Sequence, residues 1–522
     1  MPHNLSPSAE QVRRTSAMAM RTFCICPGRV YASLRAIAAW TAAGMACSLL
    51  LGCGDSTAVP PLGRPPVIVI VFDALAAGHV GHLGADRDTT PVLDRLAREG
   101  ATFTQAVAPA PYTLASIPSL LTGRLPLRHG VVDEQAVLAD REVTLAELLR
   151  TAGYRTHAAV ANPNGGARHG FGQGYDHFAE LYRASAPGGA EAGDPASLPA
   201  LRIPDAAEFV PFVARVLAEH ERTAPLHLYL HVLEPHAPYD PPAQFRNLFL
   251  DPAYEGPFLD GDIESTLTRG FRSLALQQSD KAAARALYDA NVRHADAVLG
   301  ELLDLLRSAG LYDEALVIVT SDHGEAFWQH GRWGHSTTLF EEMVRVPLVV
   351  KPPAGSGVAG RVCKELVSPM DVLPSVCEWL DLPLPAARLD GLSFAGLVAS
   401  GSSTDAERGQ ATRSGRELLL RTDGKLHDIG CRTHSAKLIV RPARKPDGKF
   451  GRHGQFSYHD LETDPMEQAN TYAAHEAELA ALVGRLNAAF EAHEDTRAEK
   501  AAPLSEEERA VLKRLGYLGE SE

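Results

Sequence analysis

Short runs of uninterrupted apolar residues recur along the first two thirds of the chain. The run VIVIVF (67–72) shows no alternation of apolar and polar positions, which is typical of a strand buried on both faces of a parallel sheet. Four similar runs follow it: RTHAAVA (155–161), LHLYLHV (226–232), ALVIVTS (315–321) and VPLVVK (346–351). Together they predict the strands of one large sheet.

Segments with helical periodicity lie between these runs. TLAELLRTAG (144–153) ends on a glycine, AEFVPFVARVLAEH (207–220) is amphipathic, and residues 282–309 carry apolar residues at helical spacing. Strands that alternate with helices indicate an α/β fold, in which a large, mostly parallel central sheet is flanked by helices on both faces.

The composition changes near the end of this pattern. Residues 397–415 are rich in small and polar residues, and shorter strands and a helix at 473–493 follow. We therefore predict a main domain over 66–400 and a small C-terminal α+β subdomain over 416–522, with a small antiparallel sheet and a helix. Residues 184–206, rich in Ala, Gly, Ser and Pro, are predicted to form a surface loop.

The first 53 residues have the pattern of an export signal. Five arginines precede an uncharged run of 17 residues, and the run ends at Cys53. The ending LLGC (50–53) resembles a bacterial lipobox, with Cys53 as the lipidated residue. We predict a lipoprotein-type signal over 1–53, a linker over 54–65, and a chain lipid-anchored to a bacterial envelope, on its periplasmic or outer-membrane face.

Two alternatives to this N-terminal interpretation stay open. The apolar run just reaches the length of a single membrane span, so an uncleaved transmembrane anchor is one of them. A start at Met18 or Met20 is the other, because 35 residues before the apolar run is long for a signal. The lipoprotein and transmembrane interpretations both place the rest of the chain outside the cytoplasm.

Charge and cysteine usage exclude several classes of protein. Removal of residues 1–52 takes away five arginines and one glutamate, which changes the formal net charge from −14 to −18. Such an acidic chain is not expected to bind nucleic acid, which attracts basic surfaces. Three cysteines remain beyond Cys53 (Cys363, Cys377 and Cys431), and their spacing favours buried thiols, with one disulfide as the alternative.

Side chains that can bind a metal follow three of the predicted strands. VIVIVF leads into Asp73, ALVIVTS leads into Asp322 and His323, and LHLYLHV leads into Glu234 and His236. Sites in open parallel sheets form where the strands end, at their carboxyl edge. Carboxylate and imidazole ligands suit Zn²⁺ or Mn²⁺ better than Ca²⁺. A divalent metal ion at this edge is therefore predicted.

Single residues of this set have structural interpretations as well, because an Asp after a strand is often a helix cap. The tract SDHGEAFWQHGRWGHS (321–336) is more specific. It places three histidines (His323, His330 and His335) with Asp322 in one glycine-rich loop, which favours a functional site.

Thr113 lies between APAPY and LASIPSLLTG and is predicted at the first turn of a helix. One interpretation is an N-cap, for which threonine is a preferred residue. The other is a nucleophile, because the free N–H groups and dipole of a helix N-terminus attract an anion and stabilise an alkoxide. The local pattern leaves both interpretations open and favours the cap.

The order of these motifs resembles the sulfatase family of the alkaline phosphatase superfamily, over nearly all of residues 66–519. The blocks that carry the resemblance are VIVIVFDALAAGHVGHLGADRDTTPVLDRLAREG, APYTLASIPSLLTGRLPLRHG, HVLEPHAPYDPP, TSDHGEAFWQHGRWGHSTTLFEEMVRVPLVVK, VSPMDVLPSVCEWLDLPLPAARLDGLSF and YHDLETDPMEQAN. The resemblance implies that Thr113 is the nucleophile and that His236 and His335 contact the substrate or its leaving group. The implied metal ligands are Asp73, Thr113, Asp322 and His323.

The chain departs from the family pattern at several positions. Sulfatases typically read C-x-P-x-R, with the cysteine or serine oxidised to formylglycine, whereas this chain has Thr113, Ala115 and Ile117. Threonine cannot become formylglycine, so none is expected. Ala74 stands where the family has a second Asp, and the lysine that many sulfatases carry after the HGRWGH block is missing. Glu134 stands where threonine-bearing relatives often keep an Asn to hold the anion.

These features predict a metal-dependent hydrolase that cleaves sulfate, phosphate or phosphonate esters through a covalent ester on Thr113. A small molecule or a glycan is the expected substrate. The alternative is a catalytically inactive, sulfatase-like binding protein on the cell envelope, which the missing arginine, lysine and second Asp would explain.

Overall fold

Strand β1 (Val67–Asp73) is buried along its whole length and lies between two parallel neighbours. The computed structural model describes residues 63–183, 202–259, 276–399, 413, 415–422, 428–444, 450–491, 499–501, 503–515 and 517. The predicted signal, its Cys53 lipid site, nearly all of the linker and most of the 184–206 loop lie outside the described residues.

The strands are β1, β2 (Ala101–Val107), β3 (Ala136–Val137), β4 (Arg155–Val160), β5 (His177–Glu180), β6 (Leu226–Pro235), β7 (Leu316–Ser321), β8 (Ala326–Phe327), β9 (Trp333–Gly334), β10 (Arg345–Val346), β11 (Leu348–Lys351), β12 (Arg361–Val367), β13 (Leu418–Arg421), β14 (Ile429–Arg432), β15 (Ala436–Arg444), β16 (Phe450–Asp460) and β17 (Glu499–Lys500). Within the described residues, nine of them form one sheet in the order β10-β2-β11-β7-β1-β6-β4-β5, with β12 beside β2. The five strands from β7 to β5 are parallel, and β11 runs antiparallel to both of its neighbours. The predicted mostly parallel sheet is confirmed.

The helices are α1 (Pro91–Glu99), α2 (Thr113–Thr122), α3 (Pro126–His129), α4 (Leu145–Thr151), α5 (Phe209–Glu219), α6 (Ala243–Phe249), α7 (Gln278–Ser308), α8 (Glu341–Val344), α9 (Val372–Trp379), α10 (Ala395–Val398), α11 (Tyr472–Glu491) and α12 (Glu506–Arg514). Alternate residues of β1 point to opposite faces of the sheet, as the twofold repeat of a strand requires. Val69 packs in the core that includes α2 and α4, and Ile70 packs in the core that includes α5 and α7. This two-sided burial explains why β1 has no polar alternation.

The four strands β13 to β16 form a separate antiparallel sheet, in sequence order. One side of this sheet shares a small core with Val107 of β2 and Leu339, and the other side packs on α11 through Leu479 and Leu486. The three cysteines of the described residues are buried and form no disulfide: Cys363, Cys377 and Cys431.

The chain returns to the large sheet after α11. Strand β17 pairs with β3, and α12 places Val511 and Leu515 in the core beside β1. The last described part of the predicted 416–522 subdomain therefore packs on the main domain. Among the described residues, no helix has the length and apolar composition that a membrane span requires.

Candidate active site at the carboxyl edge of the large sheet

Three of the predicted metal ligands meet at the carboxyl edge of the large sheet. Asp73 is the last residue of β1, and Asp322 and His323 follow β7, which pairs directly with β1. One ligand atom from each of the three lies within 4.8 Å of the others, and all three side chains are buried. The sheet register thus brings together residues that are far apart in the sequence.

The turn after β7 is held by hydrogen bonds. Asp322 Oδ1 accepts from the backbone N–H groups of Ala74 (3.1 Å) and His323 (2.8 Å). His323 Nδ1 lies 2.9 Å from Gly324 O, which orients the imidazole so that Nε2 faces the carboxylate of β1 at 3.4 Å. Gly324 has no room for a side chain, since a Cβ there would lie 2.2 Å from Glu342 O. These contacts fix both ligand side chains before any ion binds.

Thr113 is the first residue of α2, and its hydroxyl lies in the same edge. Its Oγ1 is 3.4 Å from each carboxylate oxygen of Asp73 and 3.3 Å from His323 Nε2. The N-cap is Tyr112 and no side chain caps the helix, so the interpretation of Thr113 as an N-cap is wrong. The Ser116 hydroxyl donates to the backbone oxygen of Asp322 at 2.5 Å, and this hydrogen bond links α2 to the edge of the sheet.

Two further residues of the site were not predicted from the sequence. His231 of β6 lies with Nε2 3.4 Å from Asp73 Oδ2 and 3.8 Å from Asp322 Oδ2. Asn162 follows β4, and its amide donates to Asp73 Oδ2 at 2.5 Å. A signal existed for both: histidine is unusual in a strand as apolar as LHLYLHV, and Asn162 ends the strand-like run AAVAN.

Glu134 stands where threonine-bearing relatives often have an asparagine, but the amide of the site belongs to another residue. Glu134 is half-buried in the turn before β3, whereas an amide reaches the site from Asn162 at the end of β4. The amide thus comes from a different part of the chain than the resemblance suggested.

No lysine or arginine pairs with the two carboxyl groups of the site among the described residues, and their pKa values depend on burial and on neighbouring side chains. Burial raises the pKa of Asp73, but His236, His231 and His323 lower it by more, so its net pKa lies below the usual range. Burial and the charge of Asp73 raise the pKa of Asp322. One carboxylate therefore stays ionised while its neighbour favours a proton, as expected when two carboxyl groups share a buried site.

The donor atoms of the site fit a divalent ion. Asp322 Oδ2 and His231 Nε2 are buried and have no hydrogen-bond partner in the described structure. Buried polar atoms without a partner are costly, and a cation among two carboxylates and two imidazoles would satisfy them. The residues that would hold it are Asp73, Thr113, Asp322 and His323, with His231 as an added candidate.

The two predicted substrate-contacting histidines lie beside His323. His236 follows β6, its ring centroid lies 4.8 Å from that of His335, and its backbone N–H donates to Asp73 O at 3.1 Å. The His335 ring lies 4.5 Å from that of His323, and its Nδ1 lies 3.1 Å from Glu325 Oε1. Burial, followed by the charge of His236, lowers the pKa of His335 to about 3, and burial raises the pKa of Glu325 to about 7.

A tyrosine from the end of the chain completes the site. The hydroxyl of Tyr517 lies 3.1 Å from Thr113 Oγ1 and 2.7 Å from Asn162 Nδ2, and its ring stacks on His236 with centroids 5.2 Å apart. Nothing in the tail sequence distinguishes this tyrosine, so sequence reasoning missed it.

The comparison with protein-family models decides the family. The sulfatase model matches residues 65–382, which include all residues of the site described above except Tyr517.

The chain belongs to the sulfatase family.

Curated relatives agree with this assignment. Arylsulfatase A of Homo sapiens is 28% identical over 487 residues, covering 81% of this chain and 86% of the relative. A multifunctional alkaline phosphatase superfamily protein of Trinickia caryophylli is 27% identical over 418 residues, covering 66% of this chain and 78% of the relative. The sulfatase-family chain is accordingly a hydrolase that acts on ester bonds, and the predicted enzyme class is confirmed.

Solved structures share the fold. A structure described in complex with its substrate D-glucosamine-2-N,6-O-disulfate aligns with a TM-score of 0.63 at 18% identity, covering 82% of this chain and 98% of that one. A phosphonate monoester hydrolase of Agrobacterium radiobacter aligns with a TM-score of 0.60 at 21% identity, covering 82% and 96%. The family is metal-dependent, and Asp73, Asp322 and His323 form a possible metal-binding group in this sulfatase-family chain.

Two residues of the predicted motifs lie outside this site. Glu234 lies in a second cluster with Asp205 and His294, where its Oε1 accepts from the backbone N–H of Ala206 at 3.0 Å. His330 lies 2.8 Å from a carboxylate of α8 and stacks on Phe340, so two of the three loop histidines reach the site. The structure therefore brings part of the predicted set together and leaves Glu234 and His330 outside this group.

Proposed function

We propose that this sulfatase-family hydrolase cleaves sulfate, phosphate or phosphonate esters through a covalent ester on Thr113, without formylglycine. The observation that carries the proposal is the contact of Thr113 Oγ1 with the Asp73 carboxylate and with His323 Nε2, at 3.3–3.4 Å. A hydroxyl in contact with a metal-binding group at a helix N-terminus has the surroundings of an activated nucleophile.

A divalent ion held by Asp73, Asp322 and His323 would lower the pKa of the Thr113 hydroxyl and draw charge from an ester oxygen. Zn²⁺ or Mn²⁺ fits the mixed carboxylate and imidazole donors better than Ca²⁺ does. The first turn of α2 contributes backbone N–H groups that face the anionic ester. His231 lies close enough to both carboxylates to act as a further ligand.

The reaction has two displacements. The Thr113 hydroxyl gives its proton to water. Its oxygen then attacks sulfur or phosphorus and forms a new O–S or O–P bond while the bond to the alcohol breaks, and the imidazolium of His236 or His335 gives the leaving alcohol its proton. The same imidazole then takes a proton from water, whose oxygen attacks the threonyl ester. Sulfate, phosphate or phosphonate leaves, and the Thr113 alkoxide takes back a proton from water, so atoms and protons balance.

The nucleophile bears on the substrate class. Formylglycine can expel sulfate by elimination from a hemiacetal, but a threonyl ester must wait for a second in-line attack. This difference favours phosphate diesters or phosphonates over sulfate esters. A small molecule or a glycan carries the ester. A phosphonate monoester hydrolase among the proteins of the same fold is compatible with this preference. Because sulfatases are among the relatives, sulfate esters are also to be tested as substrates. The inactive binding protein is the less favoured alternative, because buried donor atoms without partners remain where the ion is expected.

The substrate class is tested by assaying the purified protein against aryl sulfates, phosphate monoesters, phosphate diesters and phosphonates. Each assay is run in Zn²⁺, Mn²⁺, Ca²⁺ or strong chelator. We expect turnover that depends on Zn²⁺ or Mn²⁺, with the diesters or phosphonates as the best substrates. Turnover of every class in chelator, or turnover of none of them with any ion, would contradict the proposal.

We also propose that the chain is a lipoprotein of a bacterial envelope, anchored through Cys53. The support is the basic and apolar pattern before LLGC in the sequence. A Cys53→Ser variant should keep its signal and lose metabolic labelling with fatty acid, whereas the wild type is labelled. An unlabelled wild-type protein that stays in the membrane fraction would support the uncleaved transmembrane anchor instead.

A further inference from the structure

Among the described residues, no lysine or arginine contacts the Thr113 hydroxyl. The Thr113 hydroxyl contacts a carboxylate, an imidazole and a phenol: those of Asp73, His323 and Tyr517. Ile117 stands where the family signature has arginine, and its side chain is fully buried. An anionic ester nevertheless needs hydrogen-bond donors for its free oxygens, because two buried carboxylates lie beside it. Some other donor has to face the ester.

The Tyr517 hydroxyl is directed at the place where such a donor is needed. It lies 2.7 Å from Asn162 Nδ2 and 3.1 Å from Thr113 Oγ1. An amide NH₂ group can only donate, so the Tyr517 oxygen accepts from Asn162 and its own proton remains for Thr113. When an ester forms on Thr113, the same proton faces the oxygens of that ester.

The end of the chain holds Tyr517 in place through several contacts. Val511 of α12 and Leu515, directly after this helix, are buried in the core beside β1, and the backbone N–H of Tyr517 donates to Leu512 O at 2.9 Å. Glu508 pairs with two arginines of the large domain, at 3.2 Å to Arg168 and 3.6 Å to Arg183. The ring also stacks on His236 with an angle of 29° between the planes. A donor that is held before substrate arrives needs little reorganisation in the transition state.

We propose that Tyr517 is a catalytic residue whose hydroxyl donates a hydrogen bond to an anionic oxygen of the ester, with Asn162 orienting it, in place of the arginine that the family signature has in α2. The inference rests on the proposed function of Thr113, since it assigns Tyr517 to the ester formed there. It also gives the C-terminal segment a part in the chemistry, although that segment lies outside the matched family region.

The Tyr517→Phe variant removes one oxygen atom and keeps the ring against His236. We expect kcat/KM to fall about 100-fold, the loss typical of removing one donor to a developing oxyanion. Inorganic phosphate and sulfate, measured by calorimetry on the metal-loaded protein, should each bind about tenfold more weakly, with thermal unfolding unchanged. Tyr472→Phe is the matched control, because it removes the same atom from a half-buried tyrosine of α11 and should change neither quantity.

Other outcomes overturn the inference. Higher kcat/KM and tighter anion binding in Tyr517→Phe would show that the phenol competes with the substrate. Unchanged values would show that Tyr517 only packs. Anion binding needs no turnover, so it tests Tyr517 even if Thr113→Ala proves active and the proposed nucleophile is wrong.

Discussion

The carboxyl edge of the large sheet and the contact between the two sheets both bury carboxylates, but they balance the charge in different ways. At the contact between the sheets, the fully buried Lys437 lies with Nζ 2.6 Å from Glu341 Oε1 and 3.0 Å from Glu467 Oε1. Arg432 adds a second cation, with Nε 3.1 Å from Glu341 Oε1. Each acid there faces a permanent cation.

At the carboxyl edge of the large sheet, which we call the site edge, no lysine or arginine pairs with the buried acids among the described residues. Asp73 and Asp322 are fully buried side chains, and the groups that face them are imidazoles. Burial and Asp73 raise the pKa of Asp322, while the Lys437 and Arg432 charges outweigh burial and lower the pKa of Glu341 to about 2. Buried carboxylates that pair with Lys or Arg link the two sheets, whereas buried carboxyl groups that face only imidazoles point to an ion and a function.

The largest expected effect comes from Thr113, the proposed nucleophile. Thr113→Ala should lower kcat by several orders of magnitude, as loss of a covalent nucleophile does, since no other hydroxyl of the described site has the contacts of Thr113. Single-turnover kinetics with the folded fraction corrected measure the loss. Thr122→Ala removes a buried hydroxyl from the same helix that bonds only to a backbone oxygen, and it should retain the chemical step. Equal rates for the two variants would place the nucleophile elsewhere.

Next in size is the stability contrast between the two regions. Lys437→Met leaves Glu341 and Glu467 without their common cation and should cost about 3–5 kcal/mol of unfolding free energy, with metal content unchanged. Asp322→Asn should lose the ion yet unfold in chelator at no lower denaturant concentration than the wild type, because the amide has the shape of the carboxyl group and cannot take a buried negative charge beside Asp73. Denaturation curves and metal analysis measure both effects. A loss of stability in Asp322→Asn as large as that of Lys437→Met would remove the distinction.

A smaller effect tests Glu234, which lies near the end of β6 in the second cluster, with Asp205 and His294. Burial, with a contribution from Asp205, raises the pKa of Glu234 from 4.5 to about 7. The pKa of Glu234 is higher in the folded than in the unfolded protein. The stability that comes from holding its proton is therefore fully present below pH 4.5, and it is lost as the pH rises through about 7. Between about pH 5 and pH 8, the unfolding free energy of Glu234→Gln should therefore fall by less than that of the wild type. We expect the difference to be up to about 3 kcal/mol.

Denaturant titrations at the two pH values measure the difference between Glu234→Gln and the wild type, which separates Glu234 from the other groups that titrate in this range. If the unfolding free energies of both proteins change equally with pH, Glu234 is ionised in the folded protein across this range. Its cluster would then need a cation, as we propose for the site edge.

The sequence allowed the large sheet and the edge that carries the site to be predicted because both depend on local patterns. The run 67–72 has to be apolar throughout because side chains pack on both faces of β1. Asp73 comes directly after this run, at the edge where the parallel strands end together. Strand β2 was not predicted, because ATFTQAV mixes polar and apolar residues. This strand lies between an antiparallel neighbour, β11, and a parallel neighbour, β12.

Other parts of the site depend on tertiary contacts that no local pattern records. The N-cap interpretation of Thr113 was wrong because Tyr112 takes that position, which turns the threonine hydroxyl toward Asp73. Tyr517 reaches the site only because α12 packs beside β1. His231 lies inside a strand rather than at its end, so the strand-end rule did not select it.

The central claim is that Thr113 carries the ester during turnover. Intact-mass measurement of the wild-type protein, quenched during reaction with a slow substrate, tests it most directly. We predict an added sulfuryl, phosphoryl or phosphonyl group that peptide mapping assigns to Thr113, and no such group on Thr113→Ala under the same conditions. An adduct that maps to another residue, or one that persists in Thr113→Ala, would contradict the account.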